Sequence, residues 1–191
     1  MGRLGAGLVG RGLGLLGRAW SAAFAAPHLR CVQTALVLRK AAGIQSPIKV
    51  EPGLWDSPAS VPQHLFGTEE LLAAGYPVSR DYQPLLSLEA LRKMAKETTK
   101  VTARRLGEVV EKLGETKPLK GALLLVGPAG MLDAGGRRLL GQAVLGWDED
   151  VGLHYPYLCT LALLHAPPPA ASRRWSLAAD LPPLTHFDID T

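Results

Sequence analysis

The run from Gly121 to Val126 constrains the fold of this 191-residue chain more than any other segment. It is continuously apolar, and Pro128 follows it closely. An uninterrupted apolar run of this length is typical of a β-strand that is buried on both faces. Such a strand needs helices on both sides of its sheet, so the run favours an α/β fold.

Strand-like and helical segments alternate along the rest of the chain. Residues 48–50 are predicted to form a short strand, and Ser87 can cap a long helix that continues to about Lys112. A shorter helix over 131–140 and two late strands, over 157–163 and 173–177, are predicted after it. Residues 57–82 form a loop-rich insertion that is rich in proline. We therefore expect a single domain over residues 1–191, a three-layer α/β sandwich with a mainly parallel sheet.

Arg30 lies in the first turn of a predicted amphipathic helix. Pro27 suits the first helical position, Leu29 and Val32 belong to the apolar face, and Gly43 ends the helix. Free N–H groups at a helix N-terminus and a guanidinium fork both attract oxyanions. The pattern predicts a phosphate site at Arg30, which His28 could also face. The alternative, from these residues alone, is an arginine that pairs with a surface carboxylate.

The segment Ala26-Pro-His-Leu-Arg-Cys-Val-Gln-Thr-Ala35 resembles a motif of the histidine phosphatase superfamily, whose fold is phosphoglycerate mutase-like. Its form resembles that of the ubiquitin-associated and SH3 domain-containing proteins, the suppressors of T-cell receptor signalling. Further similar segments follow in the family's order, and the resemblance extends from about residue 6 to residue 186. These segments are 50–56, 123–128 with 132–133, and 156–158 followed by Trp175 and 184–186.

The resemblance also implies which catalytic groups are missing. Members of the family attack phosphate with the histidine of an Arg-His-Gly motif on their first strand, and no such motif occurs here. We therefore expect a fold that lacks that strand. The family's second histidine corresponds to Pro128, which has neither a titratable nitrogen nor a backbone donor. Arg30 matches the phosphate clamp, and Asp56 stands where the subfamily has a glutamate acid, so it is expected to be a vestigial acid.

These residues predict a pseudophosphatase, a cytoplasmic signalling module that binds a phosphorylated protein or a small phosphate ligand without turnover. We expect no cofactor and no metal. One alternative is a protein tyrosine phosphatase of the same family whose catalytic strand lies upstream of this sequence. The family's first strand lies in the middle of the sheet, so its absence would leave residues 123–126 at an unpaired edge. That edge favours self-association, for example as a homodimer.

Basic charge is concentrated near the start of the chain. The first 50 residues carry seven Lys or Arg and no Asp or Glu, whereas the remaining residues carry 14 against 17. A second alternative is therefore a mitochondrial protein with residues 1–26 as its presequence. Nucleic-acid binding is not expected, because Arg3, Arg11 and Arg18 recur without aromatic side chains between them on which bases could stack.

Other common sites find little support in the sequence. Two G-x-G-x-x-G strings, at 5–10 and 12–17, lack the preceding strand and the later acidic residue of a dinucleotide site. Histidines 64, 154, 165 and 186 are isolated, and the acidic run 148–150 is most simply a solvated turn. Cys31 and Cys159 are expected to be reduced and buried. Every apolar run is too short to span a membrane.

Overall fold

The computed structural model describes residues 2–56, 65–94, 97–115, 121–144, 155, 157–165 and 174–178. Helices and strands alternate through the first two-thirds of the chain, as the sequence pattern predicts. In chain order the elements are α1 (Gly2–Leu15), β1 (Trp20–Ala25), α2 (Leu29–Ala41), β2 (Ile48–Val50), a 3₁₀ turn (Pro52–Leu54), α3 (Thr68–Ala73), α4 (Leu88–Lys93), α5 (Thr99–Glu115), β3 (Ala122–Val126), α6 (Ala129–Leu139), β4 (Leu163–His165) and β5 (Trp175–Leu177).

A parallel sheet with the strand order β2-β1-β3 forms the centre of the molecule. The middle strand β1 aligns Ala23 with Ile48 on one side and with Leu124 on the other. Because all three strands run in the same direction, their carboxyl ends lie at one edge of the sheet. The segments that leave this edge lead to α2, to the 3₁₀ turn and to α6.

Two apolar cores lie on opposite faces of this sheet. Ala23 and Ala25 of β1 pack in one core with α1 and α2, while Ala22 and Phe24 pack in the other with α5 and α6. Alternation of this kind follows from the two-residue repeat of a strand. Leu124 and Val126 of β3 belong to the first core, and its Leu123 and Leu125 pack against the second. The expected three-layer sandwich is confirmed, and so is a β3 that contacts helices on both faces.

Glycine allows α1 to approach α2 closely. A Cβ atom added at Gly10 would lie 2.6 Å from the Cβ atom of Ala41 and 2.9 Å from the carbonyl oxygen of Leu38. Ala6, Val9 and Leu13 on the same side of α1 are buried. The N-terminal segment therefore packs as an integral helix of the fold.

The long helix predicted after Ser87 is wrong. Ser87 caps α4, its Oγ accepting the N–H of Ala90 at 3.1 Å, but α4 ends at Lys93. A second helix, α5, then begins at Thr99, and the hydroxyl of Thr98 accepts the N–H of Val101 at 3.4 Å. Local side-chain capping interrupts an apolar pattern that by itself continues through the break.

Both late strands are shorter than predicted, and the first begins at Leu163, where the predicted strand was expected to end. Residues 157–158 form a turn in which Leu158 has a φ of 67°, and a positive φ ends an extended run. The strands are Leu163–His165 and Trp175–Leu177, which pair antiparallel as a separate two-stranded sheet. Among the helices of the described ranges, none is long and apolar enough to cross a membrane.

Candidate functional site

Arg30, Asp56 and Pro128 all follow the carboxyl ends of the parallel strands. Arg30 comes after β1, Asp56 after β2 and Pro128 after β3. In open α/β sheets this edge is where ligands bind. The sheet thus brings three residues together that are up to 98 positions apart in the sequence.

His28 shapes the start of α2. Its Nδ1 accepts the backbone N–H of Arg30 at 3.3 Å, which makes His28 the N-cap and places the helix start at Leu29. Pro27 therefore precedes the cap, and its predicted place as the first helical residue is wrong. The imidazole lies flat against Trp55, with ring centres 5.2 Å apart and an angle of 11° between the planes. A nitrogen that accepts this hydrogen bond carries no proton, so the proton of a neutral His28 is on Nε2.

Arg30 is an exposed cation at this edge. Its side chain reaches over the ring of Trp55, with the guanidinium carbon 5.9 Å from the ring centre. Trp55 itself is only 4% exposed, so it supports the arginine without offering a free face. A guanidinium supported in this way presents its outer N–H groups to solvent and to any bound anion.

Asp56 lies at the N-terminus of α6. Its Oδ2 accepts the backbone N–H of Gly130 at 3.2 Å, and the two residues are 74 positions apart. Burial raises the pKa of this carboxyl, while the Gly130 N–H and the nearby Arg30 guanidinium partly lower it. The protonated form of Asp56 is therefore more accessible than that of an ordinary aspartate, and it can donate a hydrogen bond to an oxyanion.

Pro128 is the N-cap residue of α6, with φ −74° and ψ 170° and no side-chain cap hydrogen bond. The Pro128 carbonyl accepts the N–H of Met131 at 3.0 Å, but the helix has no local side-chain acceptor for its other first N–H groups. Asp56 supplies one acceptor from a different segment of the chain. The residue expected to replace the family histidine thus stands at the site, but it contributes neither a proton nor a nucleophile.

The thiol beside Arg30 is unreactive in this setting. Cys31 is buried, and burial raises its pKa to about 11 from 9.0, against the opposing effect of the Arg30 guanidinium. Thiolates are the reactive form of cysteine, so this residue is not a nucleophile at neutral pH. As predicted, both cysteines are free and Cys31 is buried, but the expected burial of Cys159 is wrong, because Cys159 is only partly buried.

Two residues that the sequence analysis passed over hold the segment that carries Asp56. Glu51 is completely buried, and its carboxylate accepts hydrogen bonds from the N–H of Gly53, Leu85 and Leu86 and from the Tyr82 hydroxyl. Arg105 of α5 donates to the carbonyl oxygens of Gly53 and Trp55. The sequence signals for Glu51 are its place directly after the predicted strand 48–50 and within the family-like segment 50–56. Arg105 lies in none of the family-like segments.

The remaining candidate residues lie elsewhere. His165 packs against Trp175 in the two-stranded sheet, with ring centres 4.7 Å apart. Histidines 64, 154 and 186 and the acidic run 148–150 fall outside the described residues. Within the described ranges no three His, Cys, Asp or Glu side chains come close enough to hold a metal ion.

Comparison with known proteins gives two curated relatives. The chain is 33% identical over 128 residues to the human ubiquitin-associated and SH3 domain-containing protein A, which corresponds to 63% of this chain. It is 34% identical over 148 residues to the ecdysteroid-phosphate phosphatase of Drosophila melanogaster, or 73% of this chain. In both cases the match spans about a fifth, 19%, of the relative's length. No family model matches the chain.

Solved structures agree with these relatives. The ecdysone phosphate phosphatase of Bombyx mori, determined in complex with tungstate, superposes with a TM-score of 0.76 at 25% identity. That match covers 95% of this chain and 71% of the enzyme. A mycobacterial glucosyl-3-phosphoglycerate phosphatase, determined with vanadate, superposes with a TM-score of 0.53 at 18% identity and covers 93% of this chain and 83% of the enzyme. The second likeness concerns the fold alone.

Proposed function

The chain belongs to the histidine phosphatase (phosphoglycerate mutase-like) superfamily, and we propose that it binds phosphorylated ligands without hydrolysing them. The observation that carries this proposal is that the site has an arginine that can bind an anion and a proline where the resemblance implies a catalytic histidine. Arg30 is exposed at the ligand-binding edge of the sheet, whereas Pro128 stands at the start of α6. The resemblance assigns a histidine to that position.

Three groups support oxyanion binding at this edge. The Arg30 guanidinium is exposed above Trp55 and offers charge-assisted hydrogen bonds. The N-terminus of the 11-residue helix α6 adds its dipole. Asp56, whose pKa burial raises, can be protonated and then donates a hydrogen bond instead of repelling the anion. Phosphate, vanadate and sulfate share the geometry that this arrangement accepts.

The side chains of this sequence support the proposed lack of turnover. Phosphoryl transfer in this family needs a histidine nucleophile, and neither Pro128 nor the buried thiol of Cys31 can replace it. General acid catalysis by Asp56 alone supplies about 10²–10⁴-fold, which does not create a nucleophile. We therefore propose a binding module rather than a phosphatase.

Residues 1–26 belong to the folded domain in this proposal. They include all of β1, which lies between β2 and β3, and α1, which packs on α2. Removal of this segment as a presequence would take away the middle strand of the sheet. The sequence resemblance implies a phosphorylated protein ligand in cytoplasmic signalling, and the likeness to the two insect enzymes, which are named as ecdysteroid-phosphate and ecdysone phosphate phosphatases, supports a small phosphate ester.

The test combines binding and turnover on the purified chain. We expect calorimetry to show vanadate binding that Arg30→Ala weakens at least tenfold. Lys40→Ala is the matched control, because Lys40 is an exposed cation at the other end of α2. Hydrolysis of p-nitrophenyl phosphate and of phosphotyrosine peptides is expected to stay at background. Turnover that Arg30→Ala abolishes would overturn the proposed lack of activity, and vanadate binding that is equal in both variants would overturn the binding site.

A further inference from the structure

We infer that Arg105 is a positioning residue that holds the Asp56 carboxylate at the anion site through the backbone of residues 53–55. This inference rests on the proposed oxyanion site. Arg105 lies on α5, and its Nη1 and Nη2 donate to the carbonyl oxygens of Gly53 and Trp55 at 2.9 and 3.1 Å. These carbonyls lie on either side of Leu54, and Asp56 is the next residue after Trp55.

Arg105 is itself held in place and does not face the ligand. Its Nε and Nη2 donate to the carboxylate of Glu97 at 2.9–3.2 Å, and both side chains are only 10% exposed. Glu97 also accepts the hydroxyl of Thr102, which is completely buried. The N–H groups of the guanidinium therefore donate to Glu97 and to two backbone carbonyls. Arg105 does not act as a second phosphate-binding arginine.

The opposite side of the same segment is equally restrained. The Glu51 carboxylate accepts the N–H of Gly53 at 2.9 Å, and a Cβ atom added at Gly53 would lie 2.9 Å from both that carboxylate and Val109. Residues 51–55 are thus fixed between Glu51 and α5. Asp56 leaves this segment in one direction, toward the N–H of Gly130.

Stability alone is a weak reason to bury the Arg105–Glu97 pair. The desolvation cost of a buried ion pair offsets much of its attraction, and apolar replacements are often neutral. Precise placement of a carboxylate is a stronger reason, because an oxyanion site loses much of its effect when one group moves by about 1 Å. The planar fork of arginine can hold two carbonyls at once, which the single ammonium of lysine cannot.

The test uses the repulsion between an ionised Asp56 and a dianion. Sulfate keeps both charges above about pH 4, and because burial raises the pKa of Asp56, ionisation of this carboxyl as the pH rises through that pKa weakens sulfate binding by about tenfold at moderate salt. The groups that face Asp56 are Arg30 and Cys31 of α2, Arg105 of α5 and the Gly130 N–H of α6. Asp56→Asn should remove this pH dependence and so identify its source.

Arg105→Lys keeps the positive charge but loses the fork. We expect the pH-dependent loss of sulfate affinity to shrink to threefold or less, because the carboxylate is no longer held beside the anion. Arg104→Lys is the matched control, since Arg104 is exposed on the same helix and pairs with Glu108 one turn away. It should keep the full tenfold change. An Arg105→Lys chain with an unaltered pH profile would overturn the inference.

A second measurement needs no ligand. The amide resonance of Gly130 reports its hydrogen bond to Asp56, and Arg105→Lys should move it toward its position in Asp56→Ala. If sulfate shows no Arg30-dependent binding, the proposed function fails, and the Gly130 resonance still decides whether Arg105 places Asp56. Where Arg105→Lys does not fold, Glu97→Gln replaces it, because it loosens the same guanidinium with a smaller change. A Gly130 resonance that stays at its wild-type position in the folded variant overturns the inference.

Discussion

Replacement of Gly10 by alanine tests whether α1 is packed on α2. Alanine is the stronger helix former, so the substitution by itself should stabilise α1 by about 1 kcal/mol. The structure predicts the opposite sign. The new methyl group would lie 2.6 Å from the Cβ atom of Ala41, whereas carbon atoms in contact prefer about 3.5–4.0 Å.

The size of the effect follows from this shortfall of about 1 Å. Neither Ala41 nor the carbonyl of Leu38, 2.9 Å from the new methyl group, is a flexible side-chain end, so the helices must separate. Overpacking of this kind costs about 1–3 kcal/mol. Gly7 on the same helix has no atom within 4 Å of its would-be Cβ, so Gly7→Ala keeps the helix-propensity gain without a clash. The free energies of unfolding of the two variants should differ by about 2 kcal/mol.

Thermal unfolding followed by circular dichroism measures this difference directly. For a chain of this size, about 2 kcal/mol corresponds to a separation of about 4–8 °C, with Gly7→Ala above the wild type and above Gly10→Ala. Equal melting temperatures for the two variants would refute the packing of α1 on α2. That result would favour an N-terminal segment that is separate from the domain.

Further predictions concern buried ionisable groups and the sheet edge. Because burial raises the pKa of Asp56, the folded chain loses stability as the pH rises through that pKa and the carboxyl ionises. Asp56→Asn should therefore have a higher melting temperature than the wild type at pH 7 and the same melting temperature at acidic pH. The pKa of Cys31 is raised from 9.0 to about 11, so stability should fall as the pH rises through this range, and Cys31→Ala should lessen the loss in alkaline urea titrations. Glu51→Gln turns one of the two acceptor oxygens into a donor that faces backbone or hydroxyl donors. It should lower the free energy of unfolding, measured by chemical denaturation, by about 1–3 kcal/mol. The loss should exceed that of Tyr82→Phe, which removes one hydrogen bond. Within the described residues β3 forms one edge of the sheet, and we expect concentration-dependent self-association in size-exclusion chromatography; a monodisperse monomer at all concentrations would contradict it.

Sequence patterns that depend on near neighbours were sufficient for most of the central fold. The apolar run 121–126 predicted a strand with helices on both faces, because burial on two sides leaves no polar alternation. The same local logic failed between Lys93 and Thr99, where capping by the Thr98 hydroxyl competes with the apolar repeat. It also failed at Leu158, whose positive φ no residue preference announces.

The sequence alone also predicted the chemistry of individual residues. Arg30 near a helix start predicts an anion-binding group, and Pro128 excludes a nitrogen acid or nucleophile in any conformation. Both statements need only the covalent structure and a helix boundary. They set the limits of the proposed function, a site that can bind an oxyanion and lacks the usual means to attack it.

Only the tertiary structure decided how the site is held together. The Asp56–Gly130 hydrogen bond joins residues 74 positions apart, and Arg105 reaches Gly53 across 52 positions. Helical periodicity places Arg104 opposite the apolar face of α5 and Arg105 at its edge, but no local pattern gives the partners of Arg105. Arg104 is exposed and pairs within its own helix. The difference arises because the packing of α5 on the sheet buries the Arg105 guanidinium beside two backbone carbonyls and leaves the Arg104 guanidinium in water. Burial matters because a charge contributes far more to stability, or costs far more, out of water than at the surface.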